Sequence, residues 1–380
     1  GVLVNSFAPS FNGQVHSLAA SPDGTRLYAA GDFTNVNGTN RYRAVALNPA
    51  NGALIGSFSP GFNARVKSVV ATNDTVYFGG IFTTVSGNTR TRLAAVRASN
   101  GAVLDWNASA TGGGNQVATL ALTPDKSKLV VGGNFTTLNG NQALGMGAVD
   151  PSTGETVQWE AANLIKNAGT KAGITSLYAS DNAVYGNGYV FGSENGLPKG
   201  NLEGQFSADP STGAINWVNA CNGDTYGSYA MGGVAYSVGH AHDCRNIGGF
   251  PQTEPWSWWR AMAFTENATG VNKKETVGGY YNFEGVPSST SLNWYPDLAA
   301  GTFTGQSQAA WSISGNNDYV VLGGEFPRVN NTGQQGLVRF ARTGLAPNKS
   351  GPKLHGVNYK PTLTSPANGV VRGTIAANYD

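Results

Sequence analysis

The sequence predicts an all-β fold, a six-bladed β-propeller, and three observations predict it. The first is a recurring motif: LYAAGDFTNVNG at 27–38, VYFGGIFTTVSG at 76–87, LVVGGNFTTLNG at 129–140 and VVLGGEFPRVNN at 320–331. The second is its period, because the strands that open the first three repeats begin at Val15, Val66 and Val117, 51 residues apart each time. The third is composition. Only 12% of the 380 residues are charged, about half the usual share, and 53 glycines are spread through the chain without a low-complexity run. A chain of many short strands and many turns has that composition.

Six units align. Their opening strands read VHSLAAS from Val15, VKSVVAT from Val66, VATLALT from Val117, ITSLYAS from Ile174, YGSYAMG from Tyr226 and AAWSISG from Ala309. Small residues dominate them, as expected where several strands converge on a narrow axis. The recurring motif supplies the second strand: a run of β-branched, aromatic and aliphatic residues, a glycine pair, one variable residue, then Phe. A third, aliphatic strand follows an Asn/Gly turn. The fourth leads to Phe58, Trp106, Trp159, Trp217 or Trp294 after turns such as 49–52 and 151–154, which end in Gly because the hairpin needs positive φ there. One such sheet cannot bury both faces alone, so the units must stack.

The sixth unit lacks a fourth strand. Residues 4–9, VNSFAP, copy 55–60, IGSFSP, so the N-terminal segment is expected to complete the last blade by pairing with 336–342 and to remove an exposed edge. A seventh blade would have to sit in the 271–300 insertion. This divides the chain into a propeller at 1–345 and a tail at 346–380.

The GG-x-F-T-x-x-N/S-G core, the aliphatic third strand and the closing S-F-x-P resemble the delta-60-type repeats of secreted bacterial propeller proteins. The long fifth unit, with GHAHDC and GGFPQTEPW, is similar to the propellers of large actinobacterial surface proteins. The resemblance covers 1–345, strongest in units 1–3 and 6. It implies further modules downstream: 361–369, PTLTSPANG, resembles the first strand of an Ig-like module, cut short at Asp380, with a Pro/Gly/Lys linker before it. The resemblance implies no agreed biochemical activity.

A net charge of +2 gives no basic surface able to hold a phosphate backbone, which argues against nucleic acid. No apolar run approaches the ~18 residues of a membrane helix. The sequence opens Gly1-Val2, as a processed chain would. Cys221 and Cys244, close in sequence, are expected to form a disulfide, since they flank the first two strands of unit 5. With the sparse charge, this favours a secreted or cell-wall setting, as a monomer within a larger multidomain chain.

Repeats act as their own control, so candidate functional residues are departures from the pattern. The variable slot after the glycine pair holds Asp32, Ile81, Asn134, Tyr189, His240 and Glu325, which should lie near one rim of the ring. His240 and His242 stand two apart, a spacing that suits two imidazole ligands on Zn or Cu, with Ca as a further divalent candidate. Asp224, Asp243 and Glu254 are the third ligands to consider. The plainer reading is that the histidines hold a long loop by hydrogen bonds. Phe250, Trp256, Trp258 and Trp259 crowd that loop, with Tyr280, Tyr281 and Phe283 in the insertion. Such rings suit stacking on sugars, and they equally suit a small loop core.

Two functions compete. One is a non-enzymatic recognition propeller that binds a glycan or another surface ligand at the unit 5 rim, through Asp224, His240, His242, Phe250, Trp256, Trp258 and Glu325. The other is a metal-assisted hydrolase or lyase built on His240 and His242 near the central opening. No Ser-His-Asp constellation or paired-carboxylate motif supports the second, and four histidines offer few bases.

Overall fold

A computed structural model describes residues 4–342 and 344–346, together with the backbone of 362–367 and 370–374. Six antiparallel sheets follow one another along the chain. Unit 1 pairs β1 (Val15–Ala20), β2 (Leu27–Gly31) and β3 (Ala44–Leu47). Unit 2 repeats this with β4 (Val66–Ala71), β5 (Thr75–Gly80) and β6 (Leu93–Arg97). Unit 3 adds a fourth strand: β7 (Val117–Leu122), β8 (Leu129–Gly133), β9 (Met146–Val149) and β10 (Thr156–Val157). Single bridges, Leu47 to Leu54 and Val96 to Val103, stand in its place in units 1 and 2.

A four-residue helix, α1 (Ala161–Leu164), leads to unit 4, made of β11 (Ala172–Ala179), β12 (Val184–Val190), β13 (Gly204–Ala208) and β14 (Ile215–Asn219). Unit 5 comprises β15 (Thr225–Met231), β16 (Val234–Ala241), β17 (Trp259–Thr265) and β18 (Ser291–Leu292). Unit 6 has β19 (Ala310–Gly315), β20 (Tyr319–Gly324) and β21 (Leu337–Ala341). Between Val271 and Leu298 there is only a short pair, Gly270–Val271 with Pro287–Ser288, and the fourth strand of unit 5. The segment that would have to hold a seventh blade thus holds a two-stranded pair and no four-stranded sheet of its own.

The recurring motif explains the sheets of units 1, 2, 3 and 6. Phe33, Phe82, Phe135 and Phe326 are all 0% exposed, and burying one such ring stabilises the fold by about 1.5–3 kcal/mol. After it, Asn37-Gly38, Ser86-Gly87 and Asn139-Gly140 all take positive φ, between 46° and 82°. That is the two-residue hairpin turn that matches strand twist. Successive units share cores: Tyr28, Ala30 and Ala46 of unit 1 pack with Val69 and Phe78 of unit 2. Tyr77 and Leu93 pack with Val117 and Leu120. Val130 and Met146 pack with Ile174 and Leu177.

The expected pairing of 4–9 with 336–342 does not occur among the described residues, where β21 pairs with β20 alone. Instead the backbone N–H of Phe7 donates to Val4 O at 3.0 Å, closing a turn. Pro9 then lies so close to Gly52 that a Cβ there would meet its Cδ at 2.9 Å, as Pro60 lies on Gly101. The segment is therefore held by the first unit's own outer turn. The linker expected at 346–360 lies almost wholly outside the described residues. Within them, β22 (Thr362–Ala367) and β23 (Val370–Thr374) form an antiparallel hairpin.

Candidate functional site

The sheets bring the slot residues to equivalent places. The backbone N–H of five of the six donates to the residue before its unit's first strand: Asp32 to Gln14 at 2.8 Å, Ile81 to Arg65 at 3.0 Å, Asn134 to Gln116 at 3.2 Å, His240 to Asp224 at 2.9 Å and Glu325 to Ala309 at 2.7 Å, whereas Tyr189 stays within β12, opposite Gly173. One repeated hydrogen bond thus puts five slots at one rim.

At unit 5 this rim carries a buried polar network. The ring of His240 receives the Asp224 N–H on Nε2 at 3.4 Å, and its Nδ1 lies 3.0 Å from Gln308 Oε1 and 3.2 Å from the Tyr226 hydroxyl. Those partners assign the proton to Nδ1, donated to Gln308. Tyr226 donates to Asp224 Oδ2 at 3.3 Å. Burial lowers His240 to about 4, so it is neutral at physiological pH. Burial raises Asp224 to about 6.

Glu203 enters from the loop between the second and third strands of unit 4, accepting the Gly223 N–H at 3.0 Å. Burial, reinforced by the charge of Asp224, raises it to about 8. It lines a shallow cavity with Lys199, Asn222, Tyr280 and Tyr281. The sequence shows no paired-carboxylate motif, yet the fold brings Glu203 and Asp224 into mutual electrostatic reach across two units.

His242 is 3% exposed. Its Nε2 lies 3.0 Å from the Tyr280 hydroxyl, and its Nδ1 is buried beside Gln252 without completing a hydrogen bond of ordinary geometry. Trp256 stacks on this imidazole with ring centroids 4.4 Å apart, and Trp258 follows at 6.2 Å from Trp256. Trp256, Trp258 and Tyr281 are 40%, 44% and 49% exposed. Phe250 does not join them. It packs on Trp259 and Tyr295 at 5.0 and 5.9 Å, in a small core with Met262 and the cysteines.

The proposed third metal ligands are dispersed. Burial favours protonation of Asp243, but hydrogen bonds from Arg245 outweigh it and hold the carboxyl below its usual range. Glu254 is exposed. Among the described residues, no group of three or more His, Cys, Asp or Glu is arranged to hold a metal ion. Glu325 lies on the unit 6 side of the rim, where it accepts from Thr304 Oγ1 at 2.6 Å and Trp311 Nε1 at 3.1 Å. Cys221 and Cys244 form the disulfide, pinning the loop after β16 to the start of β15.

Sequence reading missed Glu203, Gln308 and the role of the Tyr226 hydroxyl. A signal existed for the first, because the slot residues follow the second strands, and Glu203 ends the loop from the second to the third strand of unit 4.

Comparison with known families follows the same outline. The profile of a β-propeller domain of unknown function, DUF5122, matches residues 22–54, which is most of unit 1. No curated protein matches the chain. Among solved structures, similarity extends to the hydrazine synthase of Kuenenia stuttgartiensis, with 9% identity, 86% of this chain and 78% of that one covered, and a TM-score of 0.45. A chain of the mitotic checkpoint complex gives 11%, 81%, 73% and 0.46 in the same order. The computationally designed Ika4 protein gives 16%, 50%, 90% and 0.30. The profile match and the repeated sheets define a β-propeller domain, a class suited to binding or scaffolding.

Proposed function

We propose that this chain is a recognition propeller of a secreted or cell-surface protein, one module of a larger chain, that binds a glycan at the unit 5 rim. The observation that carries the reading is the trio of Trp256, Trp258 and Tyr281, all at least 40% exposed, beside a polar network that offers fixed hydrogen-bond partners. Exposed indole and phenol faces stack on sugar C–H surfaces, while amides and carboxyls take the hydroxyls. The disulfide and the absence, among the described residues, of a helix long and apolar enough to cross a membrane are compatible with an extracellular setting. A glycan-array screen, followed by calorimetry on each hit, tests the reading. An array without hits would defeat it.

A second reading has one observation behind it. Glu203 and Asp224 are both pushed toward the protonated form, as in acid–base sites. It replaces the metal-assisted chemistry expected of His240 and His242, whose Nε2 atoms and the Nδ1 of His240 are taken by hydrogen bonds. Hydrolysis of a bound glycan, lost in Glu203→Gln while binding persists, would establish it. Intact glycan after prolonged incubation would reject it.

A further inference from the structure

In every unit a bulge leaves one residue of the first strand without a ladder partner: His16, Lys67, Ala118, Thr175, Tyr226 and Trp311 in chain order. Bulges re-aim a side chain, and all six residues are partly buried at the slot end of the inner strands. Successive units bring them together, as in units 5 and 6, where the Tyr226 and Trp311 ring centroids are 4.5 Å apart. Those units place aromatic rings on this arc. Units 1 and 2 place basic side chains there.

Around His16 and Lys67 the charges do not balance. Asp32 is the only carboxylate in the second-to-third-strand loops of units 1–3, at 32–43, 81–92 and 134–145. Its Oδ2 accepts from His16 Nε2 at 3.0 Å and its Oδ1 from Arg65 Nε at 2.6 Å. Burial alone would raise the carboxyl, but these two bonds outweigh it and hold it below its usual range. Both oxygens are thereby engaged, and Lys67 forms no ion pair among the described residues. Burial, and then the like charge of Arg65, lowers the Lys67 ammonium, a cost that a bound anion would relieve. Arg65 keeps 43% of its side chain exposed and meets Asp32 through Nε, which leaves both Nη groups for another acceptor. The next residue of the arc, Ala118, ends in a methyl group and cannot cover the ammonium.

The surrounding loops add to the same field. Units 1 and 2 carry Arg41, Arg43, Arg90 and Arg92 there, and among the described residues none of them pairs with a carboxylate. Arg43 and Arg92 instead donate to Phe62 O at 2.8 Å and Asn115 O at 2.9 Å, at the entry to the next unit. Their own backbone N–H groups bond Phe33 O and Phe82 O, as those of Gly145 and Gly336 bond Phe135 O and Phe326 O. All four residues hold positive φ, 70° at Arg43 and 67° at Arg92. A long side chain in a glycine conformation is strained, so units 1 and 2 keep cations at a local cost that units 3 and 6 avoid. In units 4–6 the same rim carries Glu194, Glu203, Asp224 and Glu325. A negatively charged ligand is therefore steered toward units 1 and 2.

We infer that Arg65 and Lys67 form a carboxylate-binding site at the rim of units 1 and 2, and that its ligand is an acidic sugar of the uronic acid type. One guanidinium fork and one ammonium match a monoanion: the two Nη groups suit the two carboxylate oxygens, Lys67 adds a point charge, and Asp32 holds the fork in place. That the carrier is a sugar rests on the glycan reading above; the anion site itself does not.

A glucuronate disaccharide, titrated into isotope-labelled protein and followed by nuclear magnetic resonance, tests the site. The amides of Arg65, Lys67 and Ala118 should shift to saturation, and the carboxyl-reduced disaccharide should bind more weakly by about tenfold or more. Lys67→Met should weaken the acid by a similar factor with a nearly unchanged melting temperature, and Lys67→Arg should stay within about threefold of wild type. Equal affinity for the reduced sugar, wild-type affinity in Lys67→Met, or shifts confined to other residues overturns the site. Displacement of the disaccharide by an equal concentration of acetate would show a site for charge alone and overturn the sugar. Trp256→Ala and Trp258→Ala should leave these shifts unchanged, so loss of the unit 5 platform and loss of this site are separate results.

Discussion

Trp256 and Trp258 sit on a loop that adds little to the core, so their rings are free to contribute to a ligand. Replacing either with Ala should weaken a confirmed glycan by about 1–3 kcal/mol, the usual cost of an anchoring aromatic, with the melting temperature nearly unchanged. Wild-type affinity in both variants by calorimetry would remove the platform. Chelator treatment should leave binding intact, because the imidazole of His242 is engaged by Tyr280 and Trp256. At the same scale Glu203 makes a pH prediction. Its folded carboxyl, raised to about 8 from an ordinary 4.5, binds a proton that the unfolded chain has released. Stability from this group is fully present below about 4.5 and is lost as pH rises toward 8. Asp224 acts with the same sign only up to about 6. His240, lowered to about 4, acts with the opposite sign, losing stability as pH falls from 6.5. Between pH 6.5 and 8 Glu203 is the dominant one of the three. Glu203→Gln should therefore flatten the fall in unfolding free energy there by about 1–2 kcal/mol. Parallel curves for variant and wild type would contradict the burial argument.

The elements were far more legible than the site. The Gly-Gly-x-Phe pattern and its Ala-Gly variant located the second strands of units 1, 2, 3 and 6, because a buried ring followed by a tight polar turn leaves few alternatives in local backbone geometry. Small inner strands likewise announced themselves by period. Residues 4–9 misled, since a copied sequence fixes what a segment can pack against, and two units offered that surface. The site was hidden for another reason: Glu203, Asp224 and Gln308 come from three units, and no spacing along the chain encodes which loops meet across a seam. Even Phe250, aromatic and in the right loop, turned inward to cover the disulfide. That bridge supports an element-scale prediction. Cys221 and Cys244 close the loop that carries both histidines, so replacing the pair with Ser should cost about 2–4 kcal/mol and loosen the Trp256 platform before it disturbs units 1–3. Titration of the denatured, unreduced protein should find no free thiol. Two thiols per chain would reject the bridge.

At the scale of the whole molecule, consecutive sheets share side-chain cores and inner-strand bridges, so each unit is stabilised chiefly by its neighbours. Ser68 tests this coupling. It is 6% exposed, and its hydroxyl accepts the buried N–H of Leu120 in the next unit. Ser68→Ala leaves that donor without a partner, a loss of about 1–3 kcal/mol. If neighbours are coupled, the cost is felt everywhere. The fluorescence of Trp217, buried two units away in unit 4, should report the same lowered midpoint as far-ultraviolet circular dichroism. Were units 2 and 3 to melt on their own, dichroism would fall first while Trp217 kept its wild-type midpoint, and the sheets would have to be treated as separate folding units.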